Sequence, residues 1–175
     1  IRTEGPANHF KKSETPTMGG IFMMIPFLIF LLIIIINSGS SKLLLLFFTI
    51  FGFFFTGFLD DYLSIKKRKN TGLKSNEKFI LQSIISIIFI FLAYENDLIS
   101  PLITISESWK INTNIFIFPI SFLVLVGISN SVNLTDGLDG LAAGCSGIVF
   151  YGLGTEILMK DQQELFVFSI LCYSM

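Results

Sequence analysis

Long apolar runs alternate with short polar joints along the chain, and that alternation predicts helices that cross a membrane. Residues 18–36, 43–59, 79–94, 115–129 and 141–159 are nearly unbroken stretches of Ile, Leu, Phe, Val and small residues. Each approaches the roughly 20 apolar residues that span a hydrocarbon core. A sixth run, residues 165–175, reaches the last residue. Pro26 lies inside the first run, where a spanning helix tolerates a kink. The joints carry turn chemistry: residues 37–42 read Asn-Ser-Gly-Ser-Ser-Lys, and Gly5-Pro6 and Thr15-Pro16 punctuate the polar opening segment. In the longer joint 95–114, residues 102–105 and 109–111 suit a small interfacial hairpin. The expected fold is therefore all-α, a polytopic transmembrane helix bundle forming one domain over residues 1–175. The chain opens without Met in a polar segment and stops within an apolar run. It is expected to be an internal fragment, with five full spans and one truncated.

Composition strengthens this picture. Of the residues, 52% are hydrophobic and 14% charged, against roughly 25% charged in soluble domains. The net charge of -1 says less than its distribution. Nine of the twelve Lys and Arg residues fall in residues 1–17 and 62–78. Lys42, Lys110 and Lys160 are scattered singly among the alternate joints. The positive-inside rule then puts the opening segment and the 62–78 loop in the cytoplasm, and span parity puts residues 130–140 on the same face. Cys145 and Cys172 have no CxxC spacing, so neither a disulfide nor a zinc site is expected. His9 is the lone histidine and cannot make a His-rich metal site by itself. Membrane lipids are expected neighbours; no nucleic-acid partner is.

Three stretches carry chemistry, and parity gathers them on one face. The first is Asn130-Ser131-Val132-Asn133-Leu134-Thr135-Asp136-Gly137-Leu138-Asp139-Gly140-Leu141. Asn130, Asn133, Asp136 and Asp139 recur every three positions, which is one face of a helix, although Gly137 and Gly140 are expected to break it. Helix capping by Thr135 or Asp136 explains one of these residues, not four. A polar cluster between two membrane-grade runs is costly unless it faces water, protein or a ligand. Asp and Asn oxygens suit Mg²⁺, which shares its shell with phosphates and water. The second stretch is Asp60-Asp61, placed at the end of the second span. Acidic residues there oppose the helix macrodipole and run against the local excess of lysine. A paired carboxylate can hold Mg²⁺ beside a phosphate, or act as a base tuned by its neighbour. The third is the basic loop. Topology and anionic headgroups account for Lys66, Lys67, Arg68 and Lys69. Lys74, Lys78 and Lys12 can also meet phosphates as point charges. The free N–H groups of a helix opening at Gly19-Gly20 suit an anion as well.

Carboxylates, carboxamides and lysines at a cytoplasmic membrane face suit phosphoryl transfer from a soluble, polyanionic donor to a lipid phosphate. An ion-coupled transporter is the alternative class, but it would place its carboxylates near the bilayer midplane.

Gly5-Pro6, His9, Lys12, Thr15-Pro16-Thr17-Met18-Gly19-Gly20, Asp60-Asp61-Tyr62, Gly72-Leu73, Lys78 and the Asn130–Ala142 block match a known family in order and spacing. The chain resembles the bacterial phospho-N-acetylmuramoyl-pentapeptide-transferase (MraY) family, of the polyprenyl-phosphate N-acetylhexosamine-1-phosphate transferase superfamily. Sister GlcNAc-1-phosphate transferases share the acidic pair but differ in the Thr-Pro-Thr-Met-Gly-Gly and Asp-Gly-Leu-Asp blocks. The resemblance implies ten transmembrane helices in the bacterial inner (plasma) membrane, with an active site facing the cytoplasm. It implies an Mg²⁺-dependent enzyme of peptidoglycan and cell-wall biosynthesis. That enzyme moves phospho-MurNAc-pentapeptide from UDP-MurNAc-pentapeptide to undecaprenyl phosphate, giving lipid I and UMP. Asp60 and Asp61 match the catalytic pair, Asp60 being favoured as the base, by direct attack or through a covalent aspartyl intermediate. Lys12 and Lys78 match lysines near the nucleotide and phosphates. Asn130, Asp136 and Asp139 fall in the substrate-binding block, and Asn133 matches a residue that can be a metal ligand. A homodimer is left open. A further Asp and a His-rich loop of the family have no counterpart before Met175, so the fragment itself is expected to be inactive.

Overall fold

The computed structural model describes residues 18–67, 72–104, 109–135 and 140–159. Helix α1, Gly19–Ser38, is apolar all round. Phe27, Leu28, Leu31 and Ile35 turn inward and form the core with Leu43 of helix α2, Ser41–Lys67. On the other face Phe22 and Ile36 are 84% and 74% exposed. A helix in water would not leave such a face uncovered, whereas hydrocarbon tails solvate it at no cost. Helix α3, Ser75–Glu95, packs on α2, and α4, Ile117–Thr135, packs on α3. Helix α5, Leu141–Met159, leans on α4. Between α3 and α4 a two-stranded antiparallel hairpin pairs β1, Leu102–Thr104, with β2, Lys110–Asn112, in the register Ile103 opposite Ile111. This is the hairpin expected for that joint. Among the described residues, Gly19–Ser38, Ser41–Lys67, Ser75–Glu95 and Asn114–Thr135 are long and apolar enough to cross a membrane. The apolar helix at Leu141–Ile157 is shorter by that measure. Residues 165–175 lie outside the described part.

The helix ends differ from those expected from apolarity. Helix α2 does not stop before the acidic pair. It continues to Lys67, so Asp60 and Asp61 are helical residues with Tyr62–Lys67 beyond them. Lys66 and Lys67 in the last turn complement the negative end of the dipole. Helix α3 begins at Ser75, before the expected residue 79, which puts Lys78 in its first turn. The Glu77 carboxylate accepts a hydrogen bond from the Lys74 N–H at 2.9 Å and so caps that start. The expected 62–78 loop thereby shrinks to the few residues between α2 and α3. Helix α4 follows a short 3₁₀ turn at Asn114–Phe116 and runs past residue 129 to Thr135, carrying Asn130 and Asn133 with it. In each case the backbone hydrogen-bond ladder continues beyond the apolar edge, because a helix needs satisfied peptides rather than apolar side chains.

At the opposite end of α2 the chain turns sharply. Gly39 has φ +64° and its N–H donates to Ile35 O at 2.8 Å, closing α1 with a left-handed cap. Gly39→Ala is expected to cost about 1 kcal/mol, since a Cβ is strained in that conformation. Thermal unfolding in detergent reads this as a lowered melting temperature. Turnover of the full-length protein stays unchanged, because Asp60 lies roughly 30 Å away along α2 at about 1.5 Å per residue.

The interior of the bundle is where polarity is kept. Thr56, Gln82 and Ser86 are buried. Thr56 Oγ1 donates to Gly52 O at 3.0 Å and is satisfied within its own helix. Gln82 instead reaches across to α4.

Candidate functional site

The site is assembled where the end of α2, the start of α3 and the end of α4 converge. Asp60 is held from two sides. Its Oδ1 accepts from the Leu73 N–H at 2.8 Å, and its Oδ2 lies 3.4 Å from Lys78 Nζ. Lys67 Nζ donates to Gly72 O at 3.0 Å, tying the same loop back to α2. Gly72 is buried against Asp60. A Cβ added there would run into the backbone carbonyl and the carboxylate of Asp60, so the close approach requires glycine. The Lys78–Asp60 pair is only partly shielded, with side chains 20% and 28% exposed. After screening such a pair is worth at most about 1 kcal/mol, so it matters as an orienting contact more than as a source of stability.

Asp61 differs from its neighbour. It makes no hydrogen bond or ion pair with the described residues, so both carboxylate oxygens keep their acceptor capacity. Two adjacent helical residues face different ways. Here one carboxylate is engaged with the α3 loop and the other is uncommitted among the described residues.

Two cavities meet at this pair. A polar bay of about 910 Å³ is walled by Ser64, Lys67, Lys74, Lys78, Asn130 and Asn133, with Asp60 and Asp61. An apolar groove of about 880 Å³ runs between the helices along Ile50, Phe54, Phe58, Val124 and Ile128. Asp60, Asp61, Lys78 and Asn133 line both. Helix α4 contributes Asn130 and Asn133, one turn apart on the same face. Asn130 Nδ2 donates to Val126 O at 2.8 Å and to Gln82 Oε1 at 2.9 Å, while Gln82 Nε2 donates to Ser129 Oγ at 3.2 Å.

The fold therefore brings Asp60, Asp61, Lys78, Asn130 and Asn133 together. Lys12, Asp136 and Asp139 lie outside the described residues. Two participants were not singled out for a role from the sequence. Gly72 has no side chain to signal one. Gln82 was visible as a polar residue inside an apolar run, and that was the available clue. Among the described residues no three His, Cys, Asp or Glu side chains cluster. On the wall shared by the two cavities the oxygen donors are two carboxylates and the Asn133 carboxamide. That set fits Mg²⁺, which commonly takes one or two carboxylates and completes its shell with phosphate and water.

The family model described as glycosyl transferase family 4 matches residues 43–175, from the start of α2 onward. The chain belongs to glycosyl transferase family 4. The matched region of this family 4 chain holds the acidic pair, Lys78 and the whole Asn130–Leu141 block. A phospho-N-acetylmuramoyl-pentapeptide-transferase of Prochlorococcus marinus (strain MIT 9312) is 83% identical over all of this chain and 49% of its own length. That of strain MIT 9515 is 62% identical over the whole chain and 48% of its length. The protein of that name from Listeria monocytogenes serovar 1/2a is 39% identical over 96% of this chain and 52% of its own. The chain thus spans about half the length of the curated relatives it matches. These likenesses agree with the resemblance read from the motifs.

Proposed function

We propose that the full-length protein transfers phospho-MurNAc-pentapeptide from UDP-MurNAc-pentapeptide to undecaprenyl phosphate, releasing UMP and forming lipid I. One observation carries this reading. Asp60, Asp61, Lys78 and Asn133 stand on the shared wall of a polar bay and an apolar groove. A reaction that joins a water-soluble nucleotide to a lipid needs such a meeting point. The bay is the place for the donor's nucleotide and pyrophosphate, and the groove admits the isoprenoid end of the acceptor. The relatives' name, phospho-N-acetylmuramoyl-pentapeptide-transferase, supports the identity of the transferred group.

The chemistry follows from charge. An acceptor phosphate oxygen attacks the donor phosphorus that bears the sugar. The bond from that phosphorus to the bridging oxygen breaks, and UMP leaves with the bridging oxygen. Like charges repel during this approach, so catalysis is mostly positioning and neutralisation. Lys78, fixed by Asp60, supplies one positive charge at the bay. The resemblance favours Asp60 as the base, but Asp60 is engaged by Leu73 and Lys78. In this reading Asp61, uncommitted among the described residues, is therefore the carboxylate better able to take a proton from the acceptor phosphate or to hold a cation. Asp61, Asp60 and Asn133 would hold Mg²⁺, which supplies charge neutralisation on the pyrophosphate when bound. Lys12, Asp136 and Asp139 complete the donor-binding set in this reading. In this reading the site faces the cytoplasm from a bacterial inner membrane, an orientation that the basic residues of the opening segment and of the 62–78 stretch support.

The test is direct. Purified full-length protein is incubated with UDP-MurNAc-pentapeptide, undecaprenyl phosphate and Mg²⁺, and UMP release is followed. UMP and a lipid-linked product are expected, both abolished by EDTA. Release from UDP-GlcNAc in place of UDP-MurNAc-pentapeptide would move the protein to the sister transferases.

A further inference from the structure

Gln82 is 2% exposed, about two turns into the largely apolar helix α3. Its side-chain hydrogen bonds among the described residues go to Ser129 and Asn130 and not to the acidic pair, yet it lies one turn from Lys78 on the same face of α3. So α3 holds α2 through Lys78 and α4 through Gln82. On α4 the amide joins two adjacent residues that belong to different cavities. Ser129 lines the apolar groove and Asn130 lines the polar bay.

The donors and acceptors settle which way each amide points. Val126 O is a backbone carbonyl and can only accept, so the Asn130 group facing it at 2.8 Å is the NH₂. The second hydrogen of that NH₂ goes to Gln82 Oε1 at 2.9 Å. With Oε1 used in this way, Gln82 Nε2 is left to donate to Ser129 Oγ at 3.2 Å. Both hydrogens of the Asn130 amide are then consumed inside the bundle. Its only remaining polar atom is the carbonyl oxygen.

We propose that Gln82 is a positioning residue, which pins the Asn130 amide so that Oδ1 is presented to the bay as a fixed acceptor. The ligand group it selects is a donor, an N–H or O–H of the nucleotide sugar. This rests on the reading that the bay takes the nucleotide end of the donor. Without the pin, Asn130 is held by Val126 alone and can rotate to offer NH₂ in place of C=O. The donor then meets a group of the wrong polarity in part of the population, while the lipid acceptor and the carboxylates are untouched.

Gln82→Met and Gln82→Glu in the full-length protein test this. Met keeps the length and apolar fit but removes both hydrogen bonds. In its protonated form a Glu keeps a carbonyl acceptor for Asn130 and an O–H donor for Ser129. Gln82→Met is expected to raise KM for UDP-MurNAc-pentapeptide about tenfold, the usual effect of losing one well-placed hydrogen bond. KM for undecaprenyl phosphate, kcat and the melting temperature stay near wild type, and Gln82→Glu restores the donor KM. An unchanged donor KM in Gln82→Met would overturn the proposal. So would equal loss of both KM values and of thermal stability without rescue by Glu, which marks a purely structural contact. A second readout needs no substrate. The ¹⁵N-labelled side-chain amide of Asn130 should show slow hydrogen exchange in wild type and in Gln82→Glu, and fast exchange in Gln82→Met. Fast exchange in wild type would also overturn it. If wild-type protein fails to release UMP, the proposed reaction falls, and the exchange measurement still decides the pin.

Discussion

Asp61→Asn in the full-length protein is expected to lower kcat by roughly 10²–10⁴-fold, the range attributed to a positioned acid or base. The protein should still insert in the membrane and melt within a few degrees of wild type. The reason is that Asp61 makes no hydrogen bond or ion pair with the described residues, so the substitution breaks nothing seen to hold the bundle. Asp60→Asn should also abolish turnover, but with a different signature. Its carboxylate binds the Leu73 N–H and Lys78 Nζ. An Asn can still accept from Leu73 through its oxygen, yet it then turns NH₂ toward the ammonium and releases Lys78. Donor KM should rise together with the fall in kcat, whereas Asp61→Asn leaves donor KM closer to wild type. Steady-state kinetics with both substrates varied, plus membrane fractionation, separate the two. Near-normal kcat in Asp61→Asn would remove that residue from the chemistry.

The second large effect is expected from a residue with no side chain. In Gly72→Ala the new methyl group collides with the backbone carbonyl and carboxylate of Asp60. Backbone atoms on both sides cannot swing away as a flexible side chain would. The loop must retreat by an ångström or so, and the Leu73 N–H, the Lys67 tie and the Lys78 pair are disturbed together. A misplacement of that size costs on the order of 10²-fold in kcat/KM. The folding penalty is smaller, because the three interactions disturbed are partly exposed and individually weak. Kinetics and a detergent melt measured on the same preparation check the prediction. A variant with normal kcat/KM would mean that Asp60 is not held by this loop in the working enzyme.

Part of this is legible in the sequence. Runs such as residues 18–36 and 79–94 carry their meaning in composition alone, since hydrocarbon accepts only side chains of that kind. The hairpin joint was also readable. The Asn130–Leu141 block announced itself because polar residues between two apolar runs need a reason. Helix ends were less visible. The acidic pair looked like a terminus because apolarity stopped there, whereas α2 continues to Lys67. Lys78 looked like a loop residue and is in the first turn of α3. Both departures have one cause: solvent preference changes at the membrane face, but backbone hydrogen bonding does not.

The sequence by itself determined that this is a polytopic membrane protein resembling the phospho-N-acetylmuramoyl-pentapeptide-transferase family, and it marked Asp60, Asp61, Lys78, Asn130 and Asn133 as candidates for its chemistry. These are properties of single residues and short motifs, readable one window at a time. Tertiary structure alone decided how those residues are arranged. It engages Asp60 and leaves Asp61 uncommitted among the described residues, seats Gly72 against Asp60, and joins Gln82 to Asn130. The contacts responsible link residues 13, 47 and 48 positions apart in the chain. Helices α2, α3 and α4 must be packed side by side before any of those partners can meet.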